Sequence, residues 1–165
     1  MNTAFVAIGG NLIPDGYETL EAVMADAREA LGQEALIIEK CSQWFETAPV
    51  PISDQPWFLN AVMQVKTNLS ETDLLARLHY IEANFGRVRN IRNEARILDL
   101  DLIDYQGLVR DDEAIILPHP RMHLRAFVLL PIQDIDPDWV HPVLNKDVST
   151  LIDEMPEGQD IRPKA

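Results

Sequence analysis

The chain has 165 residues, 47% hydrophobic and 25% charged, the balance of a globular protein, and one domain over 1–165 is expected. A net charge of −13 argues against wrapping nucleic acid or coating an anionic membrane, and the lone Cys41 excludes an internal disulfide or a cysteine-rich metal site. No run of about 18 apolar residues could span a bilayer, and Met1-Asn2-Thr3-Ala4-Phe5 lacks the basic start and cleavage site of a secretory signal, so a cytoplasmic monomer is the expectation.

In chain order, Thr3 to Ile8 is apolar and bounded by Gly9-Gly10-Asn11, which predicts a buried strand ending in a tight turn. Leu20, Val23, Met24, Ala27 and Leu31 recur at helical spacing, with Gly32 as a stop. Residues 35–46 predict a second strand. Pro49, Pro51 and Pro56 then exclude a helix or central strand and mark a long loop of functional character. Phe58 to Thr67 predicts a strand with Phe58, Asn60, Val62 and Gln64 on one face. Ser70 precedes the acids Glu71 and Asp73 and a stripe of Leu74, Leu75, Leu78, Ile81 and Phe85, the pattern of a capped helix ending at Gly86. A strand at 97–105, a hairpin turn at Gln106-Gly107 and a short helix from Pro120 to Leu130, halted by Pro131, complete the set. The order strand, helix, strand, strand, helix, strand predicts a ferredoxin-like α+β fold, an antiparallel sheet with helices packed on one face.

The segment Arg96-Ile97-Leu98-Asp99-Leu100-Asp101-Leu102-Ile103 carries the most chemistry. Strand alternation puts Asp99 and Asp101 on one face with Cα atoms about 6.6 Å apart. Carboxylates about 4 Å apart repel by roughly 4 kcal/mol at an effective dielectric of 20. A hard divalent cation such as Mg²⁺ removes that repulsion. Such a pair can instead simply face water on a half-exposed strand. Arg87, Arg89, Arg92 and Arg96 cluster just upstream, and guanidinium forks suit phosphate oxygens, so cations and carboxylates together suggest a phosphate clamp. His79 and Glu82 share one helix face and could reach the same pocket or merely face solvent. His119, between Pro118 and Pro120, could contact phosphate or be an ordinary loop histidine. Neither a Walker loop nor a Gly-x-Gly-x-x-Gly fingerprint is present.

The motifs Ala7-Ile8-Gly9-Gly10-Asn11-Leu12, Thr47-Ala48-Pro49, Asp54-Gln55-Pro56, Phe58-Leu59-Asn60, Gly86-Arg87-Val88-Arg89, Arg96-Ile97-Leu98-Asp99-Leu100-Asp101, Leu117-Pro118-His119-Pro120 and Arg125-Ala126-Phe127 follow one another from about residue 4 to 140. In this order they resemble the 6-hydroxymethyl-7,8-dihydropterin pyrophosphokinases of folate biosynthesis. The resemblance implies transfer of the β,γ-diphosphoryl group of ATP to the pterin hydroxymethyl oxygen, with AMP released. It implies two Mg²⁺ ions on Asp99 and Asp101, with Arg96 and Arg87 joining them in catalysis. Triphosphate contacts would come from Arg87, Arg89, Arg92, Arg96 and His119, and adenosine contacts from Leu75, His79, Glu82 and Leu102. The pterin would lie between Phe58 and Phe127, read by Asn60 and bordered by Thr47, Pro49 and Arg125. One departure is Asn93-Glu94-Ala95, where the family commonly carries a Trp-Gly-Pro-like lid sequence. On the residues alone, a different Mg²⁺-dependent phosphoryl or nucleotidyl transferase and a non-catalytic acidic binding module stay open.

Overall fold

A computed structural model of the chain describes residues 1–33, 35–49, 51, 53–86 and 97–164. The arginine segment 87–96, with Arg87, Arg89, Arg92, Arg96 and Asn93-Glu94-Ala95, lies outside the described residues.

Strand β1 (Asn2–Gly10) leads through residues 11–19 to helix α1 (Leu20–Leu31). The Thr19 hydroxyl accepts from the Ala22 N–H and starts the helix. Two short strands follow, β2 (Leu36–Cys41) and β3 (Phe45–Thr47), then the long strand β4 (Phe58–Thr67). Residues 35–46 are therefore two strands rather than the single one expected. Ser42 makes the break: its hydroxyl accepts from the Val62 N–H and donates to the Gln43 carbonyl, diverting the chain while keeping Val62 satisfied. Helix α2 (Glu71–Asn84) begins at Ser70, whose hydroxyl accepts from the Asp73 N–H, and leads to β5 (Asp99–Tyr105).

The main sheet runs β5-β1-β4-β3, with β2 also paired to β4, and β1 lies antiparallel between β4 and β5. With β1 between β4 and β5, the sheet has the ferredoxin-like arrangement that was expected. The chain end adds β8 (Ile161–Pro163) along β3.

The turn at Gln106-Gly107 forms, both residues having positive φ, yet it does not start a hairpin on β5. The chain instead makes a separate ribbon of β6 (Arg110–Asp111) and β7 (Ile116–Leu117). The outer edge of β5 is already occupied: the Leu100 N–H donates to Glu82 Oε2 at 2.8 Å, and the Ile103 carbonyl accepts from the His119 N–H at 2.8 Å.

Nor does Pro131 halt the last predicted helix. A 3-10 turn at Met122–Leu124 precedes α3 (Ala126–Ile135), and Pro131 sits inside it. The proline has no N–H for the Phe127 carbonyl, a cost of about 3 kcal/mol. Burial of Val128, Leu129, Ile132 and Ile135 offsets that cost and carries the helix through. Helix α4 (Val148–Glu154) packs beside α3, with Asp147 accepting from the Thr150 N–H at its start.

Helices consequently cover both faces of the sheet, against the expectation of one. On the α1–α2 face, Val6, Ile8, Ala61, Met63, Val65, Leu98, Leu100 and Leu102 form a continuous apolar core with Val23, Met24, Leu74 and Leu78. On the other, Phe5, Ala7, Val62 and Ile103 pack under α3 and α4. Among the described residues no helix is long and apolar enough to cross a membrane.

Candidate active site

The second face of the sheet is covered at one end only, and the open end holds the candidate site. Pairing across β4, β1 and β5 aligns Asn60, Gly9 and Asp99 in one row and Val62, Ala7 and Asp101 in the next. With strands about 4.8 Å apart, Asn60 and Asp99 stand about 10 Å from each other across bare glycine backbone. Gly9 leaves room here for the Asn60 amide, because a Cβ would run into Asn60 Oδ1 and displace it. Gly10 is required behind it, where a Cβ would meet the Ile97 carbonyl leading into β5.

These residues floor a cleft of ≈ 460 Å³, within the range of small-ligand sites. Thr47, Pro49, Phe58, Asn60, Asp99, Asp101, Arg125 and Phe127, all anticipated from sequence, line it together. They come from β3, the proline loop, β4, β5 and the start of α3, five places far apart in the chain. The Asn60 amide is fixed: its Nδ2 donates to Thr47 Oγ1 at 2.6 Å, which turns Oδ1 over Gly9 as an acceptor. Asn11, buried at the end of β1, donates from Nδ2 to Gln55 Oε1 and to the Pro56 carbonyl, and so ties the proline loop to the floor. The Arg125 guanidinium lies 5.4 Å from the centre of the Phe127 ring, orienting one wall by a cation–π contact.

Asp99 and Asp101 are half-buried on one strand face and open to the cleft. Two hard carboxylates with room for phosphate oxygens fit Mg²⁺, which is held through one or two carboxylates plus substrate phosphates and needs no all-protein cage. Among the described residues no group of three or more His, Cys, Asp or Glu side chains forms such a cage.

His119 does not line the cleft but borders it, electrostatically coupled to Arg125, Asp99 and Arg121. Burial lowers its pKa to about 4, helped by the Arg125 and Arg121 cations and opposed by Asp99, so the ring is neutral at pH 7. Its Nδ1 accepts from the Arg121 N–H at 3.1 Å, which leaves the ring proton on Nε2 as a donor.

The residues expected at adenosine are not gathered into this cleft. His79 is exposed and Leu75 half-buried on α2. Glu82 and Leu102 are 1% and 4% exposed, so both side chains lie in the interior at β5. Glu82 bonds the backbone of Leu100, the residue between the two aspartates. Sequence reasoning missed Gln55, Arg121, Leu124 and the terminal stretch Pro156, Glu157, Gly158 and Gln159, all of which line the cleft. Gln55 stood inside the quoted motif Asp54-Gln55-Pro56 without a role, and Arg121 directly after another, whereas nothing in the sequence pattern marked 156–159.

A family model described as 7,8-dihydro-6-hydroxymethylpterin-pyrophosphokinase (HPPK) matches residues 5–137. A 2-amino-4-hydroxy-6-hydroxymethyldihydropteridine pyrophosphokinase of Synechocystis is 36% identical over 92% of the chain and 75% of its own length. The folic acid synthesis protein fol1 of Pneumocystis carinii is 38% identical over 96% of the chain, which spans only 21% of that longer protein. A crystal structure of Plasmodium falciparum HPPK-DHPS superposes with a TM-score of 0.70 at 14% identity, over 93% of this chain and 45% of that one, a likeness of fold.

Proposed function

The chain belongs to the 7,8-dihydro-6-hydroxymethylpterin-pyrophosphokinase family, and we propose that it transfers diphosphate from ATP to 6-hydroxymethyl-7,8-dihydropterin in folate biosynthesis. The observation that carries this reading is the meeting of Asp99 and Asp101 with Phe58, Asn60, Thr47 and Phe127 in one cleft. A carboxylate pair alone suits many phosphoryl transfers. Two aromatic rings in the lining and a fixed amide acceptor add a flat heterocycle with donor groups on its edge.

In this mechanism Phe58 and Phe127 hold the pterin between their rings, each contributing about 0.5–1.5 kcal/mol beyond burial. Asn60 Oδ1 accepts from the pterin edge while Thr47 keeps the amide from rotating. The hydroxymethyl oxygen is thereby directed toward Asp99 and Asp101. It attacks the β-phosphorus of ATP, the new P–O bond forms as the bond to the α-phosphate oxygen breaks, and AMP leaves while the alcohol proton is released. Two Mg²⁺ ions held by Asp99 and Asp101 would neutralise phosphate charge and align the reacting oxygens. The Arg125 cation and the Nε2–H of neutral His119 supply further positive potential beside the transferred group.

Arg87, Arg89, Arg92 and Arg96 are proposed to close on the triphosphate, with Arg96 and Arg87 contributing to catalysis, and Leu75 and His79 to border the adenosine. Glu82 and Leu102 are proposed to border it as well, Glu82 also accepting from the Leu100 N–H of β5. The proline loop around Pro49 excludes water, the competing acceptor. We read the protein as one domain acting as a cytoplasmic monomer on small molecules, with neither nucleic acid nor membrane as partner.

The test is AMP production from ATP and Mg²⁺ with and without 6-hydroxymethyl-7,8-dihydropterin. Pterin-dependent AMP with a matching pterin diphosphate is the expected result. Folded protein that binds ATP and releases no pterin-dependent AMP would overturn the substrate assignment.

A further inference from the structure

The stretch after α4 touches both walls of the cleft, and its contacts are too specific to be those of a loose end. At one end of it, Gln159 Oε1 accepts from the Ala126 N–H at 2.9 Å, while Nε2 donates to the carbonyls of Leu124 and Pro156, both at 3.0 Å. Ala126 is the first residue of α3, and Arg125 before it makes no side-chain cap, so Gln159 supplies the missing acceptor from 33 residues away. Arg125 and Phe127, the neighbours of Ala126, are the cleft residues of that wall.

The other end holds the opposite wall. The Asp160 carbonyl accepts from the Ala48 N–H at 3.0 Å, and β8 pairs Ile161 with Thr47 along β3. Arg162 donates to Glu46 Oε2 and lies 4.6 Å from the centre of the Trp57 ring, next in sequence to Phe58. Lys164 bridges Glu46 and Glu21. Pro156 to Gln159, leading into the first of these anchors, form part of the cleft lining.

We infer that residues 156–164 are a strap that sets the separation of the Phe58 and Phe127 walls, with Gln159 and Arg162 as positioning residues for the pterin. The inference rests on the pterin reading above. A sandwich of two rings is sensitive to spacing, because stacking weakens once either ring moves away from contact distance. Neither Gln159 nor Arg162 need touch the reacting atoms to control that spacing.

The test uses the full chain and the variants Gln159→Ala, Arg162→Ala and the double variant. Steady-state kinetics are read beside amide hydrogen exchange at Ala126 and Ala48 without substrate. Each single variant is expected to raise the pterin KM about fivefold, the size of a lost cap expressed as affinity, with kcat and the ATP KM within about twofold. Exchange should quicken at Ala126 in the first variant and at Ala48 in the second. The double variant should fall short of the product of the two effects, since a strap released at one end transmits little at the other.

Quicker exchange with the pterin KM unchanged, or with kcat falling in place of a KM rise, would overturn the inference. So would two fully multiplicative effects. The Arg162 side chain is 64% exposed, so that variant keeps the test decisive where Gln159→Ala fails to fold. A wild-type protein that releases no pterin-dependent AMP overturns the functional reading itself and the pterin role of the strap with it. Exchange at Ala126 separates that failure from a failure of the strap.

Discussion

The two faces of the sheet are built from the same strands and do different work. On the α1–α2 face the inward residues of β1, β4 and β5 join those of the two helices in one closed apolar core. On the other face α3 starts only at Ala126 and covers Phe5, Val62 and Ile103, while Gly9, Asn60, Asp99 and Asp101, further along the same strands, stay open to a cleft. The difference teaches that one sheet can separate stability from chemistry by leaving part of a face uncovered, because polar groups there keep access to solvent and ligand and avoid the cost of burial without partners.

Substitutions on opposite faces at adjacent positions give the most direct attempt to break this comparison. Asp99→Ala and Asp101→Ala should each lower pterin-dependent AMP formation on the order of 10²–10³-fold or more, as expected for removing a group that stabilises charge in the transition state. Their urea midpoints should shift far less than that of a core variant, because removing a half-exposed side chain leaves no buried cavity. Leu100→Ala, one position away on the other face, should instead destabilise the protein by about 2–5 kcal/mol, measured by urea denaturation. Its activity per folded molecule should fall far less than in the aspartate variants. Equal stability losses in both sets would dissolve the division of labour.

Smaller effects sharpen the same contrast within the open end. Phe127→Ala should raise the pterin KM roughly tenfold while leaving the ATP KM nearly unchanged, given the worth of a stacked ring. Gly9→Ala should weaken pterin binding by a comparable or smaller factor by displacing Asn60 Oδ1, and pterin titration by fluorescence quenching would measure it. The smallest expected effect lies at the covered end, opposite Phe5. Asp104 is buried, accepts from the Gly107 N–H, and has a carboxyl pKa raised chiefly by that burial. Its folded-state pKa thus exceeds the unfolded value of 3.8, so the native state binds more protons and stability falls as pH rises from about 4 through the folded-state pKa. Asp104→Asn should flatten that slope in denaturation midpoints collected from pH 4 to 7; an unchanged slope would argue against a carboxylate buried at a cost.

The comparison also explains which features could be read in advance. Strand β4 and helices α1 and α2 follow from periodicity and caps, because their apolar stripes and their N-terminal Thr19 and Ser70 are local in the chain. The shared face of Asp99 and Asp101 follows equally from a period of two. That regularity ends at Ile103, an extra residue opposite the step from Phe5 to Val6, after which Tyr105 returns to the α1–α2 core. Its hydroxyl donates to the Leu69 carbonyl at 2.6 Å, a contact no local pattern announces.

By itself the sequence determined the strand–helix order of the ferredoxin-like core, the apolar stripes, the carboxylate pair and the residue types of most of the cleft, since each depends on neighbours within a few positions. Tertiary structure alone decided what covered the outer edge of β5, how far α3 continued past Pro131, why Glu82 is buried, and that residues 156–159 reach back to the cleft. Those outcomes depend on hydrogen bonds and buried area shared between segments far apart in the chain, such as Gln159 with Ala126 and Glu82 with Leu100. Such pairings carry no signature in either segment until folding brings the two together.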